Sequence, residues 1–208
     1  MGARLKANGL YEIVFGDLHI GTEQIEILNQ KIIFVAHFFN FDTLPEEFKI
    51  KLHIFSDTQM KKYKEDNKIG FSQNLFSFTF DGDKICILDY EEIKNVISVD
   101  AYISLLVHEF VHVFQGYFSR IPPKKYVWLY EIVACYLSNQ SNRIPKNFIK
   151  VTWEKFVTDF YSVEHCYTIA YMMGERIFDI FSKEEILNLI KAPQNYIDVL
   201  KDIYQKYF

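Results

Sequence analysis

The stretch Asp100–Phe118, DAYISLLVHEFVHVFQGYF, decides how the rest of the chain is interpreted. It is strongly apolar and contains no proline, so it predicts a helix over Ala101–Phe118 with Asp100 as its N-cap. At its centre stands His108-Glu109-Phe110-Val111-His112, an H-E-x-x-H sequence. Because residues at i and i+4 lie one turn apart on the same helix face, both imidazoles could bind one metal ion.

Glu109 stands about 100° around the helix from its histidine neighbour, close enough to contact metal-activated water without being a ligand. Metal-assisted hydrolysis needs this division, in which neutral nitrogens hold Zn²⁺ and a carboxylate takes the proton. Phe110 and Val111 are apolar, as expected of a helix buried beneath an active site. The pattern predicts that His108 and His112 bind zinc and that Glu109 is the general base.

A catalytic zinc takes a third protein ligand and keeps one position open. Glu131 lies in the next predicted helix, Tyr126–Ser138, among apolar and aromatic neighbours. An isolated carboxylate there is costly to bury unless it is paired or bound to a metal. The alternatives are an exposed helix face or a salt bridge with Lys124 or Arg143. We predict that Glu131 is the third metal ligand.

These residues resemble the gluzincin zinc metallopeptidases, in which a glutamate ligand follows the H-E-x-x-H helix on the next helix. The resemblance covers about residues 84–175, and its matching residues are His108, Glu109, His112, Trp128, Glu131 and Ala134. The chain length is similar to that of small members, the minigluzincins and related peptidase-MA-type proteins. The resemblance implies a zincin-like fold, a zinc ion and cleavage of peptide bonds.

The sequence departs from the family at two positions and leaves one role open. Ile132 stands where many relatives have glycine, and Cys135 stands where thermolysin-like members have aspartate, so the surroundings of the ligand must differ. The family implies an edge strand that binds extended substrate, here Lys84–Leu88. It also implies a tyrosine that donates to the oxyanion, either Tyr167 or Tyr171, with core packing as the alternative. We prefer Tyr167.

The remaining pattern predicts an α+β fold, strand-rich before about residue 95 and helical after it. We expect one zincin-like domain over residues 1–208, with a strand-rich subdomain (1–95) and a helical subdomain (96–208) that carries the zinc site. Asp81-Gly82-Asp83 predicts a hairpin turn. The predicted strands are Lys31–Phe38, Lys51–Phe55, Leu75–Phe80 and Lys84–Leu88. The other predicted helices are Thr43–Phe48, Thr58–Glu65, Lys146–Tyr161, Val163–Phe181, Lys183–Lys191 and Asn195–Tyr207.

Composition limits the classes of partner. The 23 Lys and Arg residues against 27 Asp and Glu give a net charge of −4, which offers no basic surface for nucleic acid or anionic membrane. The longest apolar run, Ile32–Phe41, is too short to cross a bilayer, and the first residues lack a signal-peptide core. Cys86, Cys135 and Cys166 form no C-x-x-C pair and are expected to be buried free thiols. We expect a soluble, cytoplasmic protein with a peptide or protein substrate.

Two other functions stay open from the sequence. In one, the site binds zinc structurally or is a degenerate scaffold for protein interaction, for which Ile132 and Cys135 argue. In the other, H-E-x-x-H is accidental and the chain, with 20 Phe, 14 Tyr and 2 Trp, is an aromatic-rich interaction domain. The function that we predict is a zinc metallopeptidase.

Overall fold

The structure is a computed structural model that describes residues 10–41, 49–70, 75–119, 125–140 and 151–208. It has the mixed α+β composition that the sequence predicts, with helices and a four-stranded sheet. The backbone divides into two compact units, residues 1–114 and 115–208. The division falls within the helix that carries the H-E-x-x-H sequence.

The first unit contains the sheet. Its elements are β1 (Tyr11–Phe15), α1 (Thr22–Phe38), β2 (Ile50–Phe55), α2 (Asp57–Asp66), β3 (Ser77–Phe80), β4 (Lys84–Leu88), α3 (Tyr90–Ile93) and most of α4 (Val99–Ser119). The strand order is β1-β2-β4-β3, in which β2 is parallel to both β1 and β4. Strand β3 is antiparallel to β4 and, among the described strands, lies at the edge.

Helix α1 corrects one prediction. The sequence predicts a strand over Lys31–Phe38, but these residues form the second half of α1. Leu28, Ile32 and Val35 are fully buried, and their i, i+4, i+7 spacing is that of one helix face. A short apolar run fits a buried strand or a buried helix equally well, and here the residues upstream of it extend the helical period.

The other predicted strands are confirmed as β2, β3 and β4, and the predicted helix Thr58–Glu65 is confirmed as α2. Strand β1 is not predicted by the sequence pattern. The predicted helix Thr43–Phe48 lies outside the described residues. At the start of α4 the predicted cap is wrong, because the helix begins at Val99 and Ser98 Oγ accepts the backbone N–H of Ala101 at 3.2 Å.

The hairpin between β3 and β4 forms at the predicted place. Asp81 and Gly82 adopt φ values of 55° and 80°, the left-handed conformation that tight hairpin turns require. Strand β4 is hydrogen bonded on both sides, to β2 and to β3. The expectation that Lys84–Leu88 is the edge strand is therefore wrong, and β3 takes that place.

The second unit is helical. Beyond the end of α4 it contains α5 (Val127–Leu137), α6 (Trp153–Thr158), α7 (Cys166–Ile180), α8 (Lys183–Lys191), α9 (Ile197–Tyr207) and 3-10 turns at Phe160–Ser162 and Pro193–Asn195. These elements confirm four of the predicted helices. The fifth, Lys146–Tyr161, is shorter among the described residues, because α6 ends at Thr158 and a 3-10 turn follows; residues 146–150 lie outside the description.

Helices α5 and α7 approach closely where α7 has a glycine. A Cβ atom on Gly174 would lie 2.6 Å from Tyr136 Cβ and 3.1 Å from the Ile132 carbonyl oxygen. Below 3 Å the helices would have to move apart. The glycine therefore sets the spacing of this helix pair, on which the ring of Tyr136 stacks against Phe178 at 4.0 Å.

Replacing Gly174 with alanine should lower the free energy of unfolding by up to about 2 kcal/mol. Overpacking costs about 1–3 kcal/mol, and the better helix propensity of alanine offsets about 1 kcal/mol of it. Gly116 is a matched control, because it is an exposed glycine in a helix and a Cβ there meets no described atom within 4 Å. Gly116→Ala should raise the free energy by about 0.5–1 kcal/mol. Urea unfolding measures both, and equal effects would contradict the close approach.

Candidate metal centre

Three contacts within the first unit fix the central part of helix α4. The Tyr102 hydroxyl donates to the Leu88 carbonyl at 3.1 Å. The ring of Phe110 meets Tyr11 edge-on at 5.5 Å, and Phe114 stacks against Phe39 at 6.3 Å. Aromatic packing of this kind and a buried hydrogen bond restrict the helix to one position against the sheet. The side chains that project between these anchors therefore have a defined direction.

The two histidines of the motif converge. His108 Nε2 and His112 Nε2 lie 2.9 Å apart, and the rings are nearly perpendicular, with centroids 4.6 Å apart. His108 is buried and His112 is half-buried. Two imidazole nitrogens on one tetrahedral zinc ion lie about 3.3 Å apart, given Zn–N bonds of about 2.0–2.1 Å. A small side-chain rotation brings the pair to that separation, so these residues fit zinc.

Glu109 is held by the edge strand. Its Oε1 accepts a hydrogen bond from Ser77 Oγ and its Oε2 accepts one from Thr79 Oγ1, each at 2.8 Å. Residues two apart on a strand share a face, so the two hydroxyls of β3 span the carboxylate. Only 5% of Glu109 is exposed. The predicted base is thus oriented by two donors, neither of which is predicted from the sequence.

The sequence contains a signal for those donors. Strand β3 reads Ser77-Phe78-Thr79-Phe80, a strict alternation of polar and apolar residues. Alternation normally indicates that the polar residues face solvent, yet Ser77 is buried, with 6% exposed. Small hydroxyl residues on the inner face of a strand indicate a polar side chain on the element that packs against that face.

Glu131 lies in the second unit, in a helix that is buried along most of its length. It is 4% exposed, and every residue of Trp128–Cys135 is buried. The alternative of an exposed helix face is therefore excluded. The other alternative involves Lys124 and Arg143, which lie outside the described residues. The hydroxyl of Tyr161 donates to Glu131 Oε1 at 2.8 Å.

The cysteines are buried free thiols, as predicted. Cys135 follows Glu131 by one helical turn, and its Sγ lies within 4.8 Å of a Glu131 carboxylate oxygen. Burial, and next the Glu131 charge, raise the pKa of Cys135. Burial is also the main cause that raises the pKa of Cys166 to about 11 and, in the first unit, that of Cys86 to about 12. At neutral pH these thiols are protonated.

The two tyrosines named from the sequence lie on helix α7. Tyr167 is half-buried in the first turn, where its ring meets Phe160 edge-on at 5.8 Å and Tyr161 at 6.5 Å. The hydroxyl of Tyr171 donates to Asn139 Oδ1 at 3.3 Å. Neither contact tests the predicted oxyanion role, which stays a prediction. The hydroxyl that contacts Glu131 belongs to Tyr161, which no sequence pattern indicates because a 3-10 turn gives no periodic signal.

Comparison of the chain with models of protein families, with curated protein sequences and with solved structures gave no match. Within the part of the chain that the structure describes, no helix combines the length and the apolarity needed to cross a bilayer. What the chain does must therefore be argued from its own side chains. Those side chains offer two converging imidazoles, an oriented carboxylate next to them in sequence, and a buried glutamate on a later helix.

Proposed function

We propose that this protein is a zinc-dependent hydrolase, specifically a peptidase of the gluzincin type. The observation that carries the proposal is the convergence of His108 Nε2 and His112 Nε2, 2.9 Å apart on one face of α4. Chance placement of two histidines does not require both rings to turn one nitrogen to the same point. The 2.9 Å distance is that of an N–H···N hydrogen bond between the two rings, and the same two nitrogens can bind one cation in place of the shared proton.

The chain's own residues would divide the work. Zinc, when bound, supplies Lewis acidity toward the scissile carbonyl and makes water more acidic. Glu109 would take the proton of the attacking water on its carboxylate and pass it to the leaving amine. Ser77 and Thr79 support this role because they hold the carboxylate in one orientation. An oxyanion donor, Tyr167 by the sequence prediction, would stabilise the developing negative charge.

We propose Glu131 as the third ligand, as the order of motifs along the chain predicts. What its own unit contributes is a carboxylate buried in an apolar helix, with a neutral phenol as hydrogen-bond partner. A phenol donor leaves the negative charge of the carboxylate in place. That charge would offset half of the charge of a divalent ion.

The edge strand favours peptides among hydrolysable substrates. Strand β3 is the last strand on its side of the sheet among the residues that the structure describes, and its Ser77 and Thr79 hydroxyls contact Glu109. An edge strand has backbone N–H and C=O groups that can pair with an extended peptide. A peptide held there would lie beside the proposed base. The cytoplasm is the proposed compartment, since three free thiols suit a reducing environment.

One observation favours a second function. Both oxygens of Glu109 already accept hydrogen bonds from β3. The same bonds also suit a carboxylate whose task is to tie β3 to α4, in which case the zinc ion would be structural and the chain would act as a protein-interaction scaffold. Zinc content would be the same in both cases, and only hydrolysis separates them.

Purified protein should contain about one zinc ion per chain when no chelator is used at neutral pH. The joint variant His108→Ala/His112→Ala should lose the ion, whereas His37→Ala, an exposed histidine of α1, should keep it. Elemental analysis measures both. Hydrolysis of a broad protein mixture should stop on chelation and return with added zinc. Protein free of zinc would refute the proposal, and zinc-loaded protein without hydrolysis would favour the scaffold.

A further inference from the structure

We infer that Tyr161 is a positioning residue for Glu131, and that its hydroxyl holds the carboxylate in the orientation from which it would bind the metal. The inference rests on the proposed function. Its basis is the 2.8 Å hydrogen bond from the Tyr161 hydroxyl to Glu131 Oε1. These residues are 30 positions apart, so the second unit must be folded for the contact to exist.

The two partners differ sharply in exposure. Glu131 is 4% exposed, whereas Tyr161 is 58% exposed. The phenol ring therefore extends from the protein surface to a buried carboxylate. The ring is held by Phe160, which it meets edge-on at 5.3 Å, and lies 6.5 Å from the ring of Tyr167. The contact with Phe160 therefore fixes the position of the Tyr161 hydroxyl, although most of the tyrosine faces solvent.

A hydrogen bond at one carboxylate oxygen limits rotation about the last side-chain bond of the glutamate. The second oxygen is then directed to one place. Carboxylates that bind metals are themselves hydrogen bonded, and the loss of such an outer partner weakens metal binding by about 10–100-fold. A phenol suits this role better than lysine or arginine, because a cation would compete with the metal for the charge of the carboxylate.

The exposure of Tyr161 makes the inference testable without loss of the fold. Tyr161→Phe removes one hydroxyl and keeps the ring that packs on Phe160. Tyr207→Phe is a matched control, because it removes the hydroxyl of another exposed tyrosine of the same unit, whose ring packs against Arg176 instead. Zinc dissociation constants of the full chain are measured by titration against a competing chelator. Tyr161→Phe should weaken zinc binding about 10-fold, and Tyr207→Phe should leave the affinity unchanged.

A double-mutant cycle shows whether the effect passes through Glu131. In the Glu131→Ala background, Tyr161→Phe should change zinc affinity no further. Equal affinity of Tyr161→Phe and wild type would overturn the inference, and so would an effect of the same size in both backgrounds. Either result would leave zinc bound to the wild-type chain and the proposed function intact. A wild-type chain without zinc would refute the proposed function, and the inference with it.

Discussion

Glu109→Gln should lower the turnover number by roughly 10²–10⁴-fold while about one zinc ion stays bound. Glutamine has the size and shape of glutamate but cannot accept the proton of water. The hydroxyls of Ser77 and Thr79 can rotate to accept from the new amide as well as donate to it, so the side chain keeps its place. Initial rates on a protein substrate and zinc content of the same preparation give the two numbers.

The edge strand provides the control for this variant. Thr79→Ser keeps a hydroxyl toward Glu109 and should retain most activity, whereas Thr79→Val removes the donor and keeps the shape. Zinc loss in Glu109→Gln would identify Glu109 as a ligand and contradict the proposed roles. Undiminished hydrolysis would place the base elsewhere. Far-UV and near-UV circular dichroism verify that each variant is folded.

Glu131→Ala should weaken zinc binding by more than about 100-fold and abolish hydrolysis. The loss of an outer partner alone costs about 10–100-fold in affinity, and loss of a ligand exceeds that. Excess zinc should restore occupancy only in part. The two imidazoles still bind the ion, but they bind it weakly without the third ligand. Chelator competition and activity at several zinc concentrations measure the effect.

A buried carboxylate that binds a metal ion lowers the stability of the metal-free protein, because its charge is then not neutralised. Glu131→Ala therefore need not destabilise the apo form, since removal of a buried charge offsets the cavity that alanine leaves. Glu164, an exposed residue just before α7, serves as a control. Its replacement by alanine should change the free energy of unfolding by less than about 0.5 kcal/mol and leave the zinc affinity unchanged. Wild-type affinity in Glu131→Ala would exclude it as a ligand and direct attention to Cys135.

The elements that the sequence predicts well are those with a complete local signal. Helix α4 is long and uninterrupted, and α8 matches its predicted bounds because Ser182 and Glu185 form a capping box. The hairpin carries Asp-Gly at its turn. Lys31–Phe38 has no capping or turn residues at its ends, and an apolar run of this length fits a helix as well as a strand.

The candidate site divides in the same way. The H-E-x-x-H histidines are found from spacing alone, because both belong to one helix. The groups that orient the carboxylates are found only in the folded chain, since Ser77, Thr79 and Tyr161 are 32, 30 and 30 residues from their partners. No local period links such positions. The sequence can indicate a reacting group, whereas its supporting hydrogen bonds depend on tertiary structure.

Because the buried thiols are protonated and inaccessible, the rate at which each one is alkylated reports how often the structure around it opens. A protonated, sequestered thiol does not react with an alkylating reagent, so labelling proceeds at the rate at which the surrounding segment exposes it. Cys86 lies in strand β4 of the first unit, and Cys135 and Cys166 lie in helices of the second. Mass spectrometry of the labelled chain therefore measures the opening rates of the sheet and of the helices separately. One sample suffices, and no probe has to be introduced.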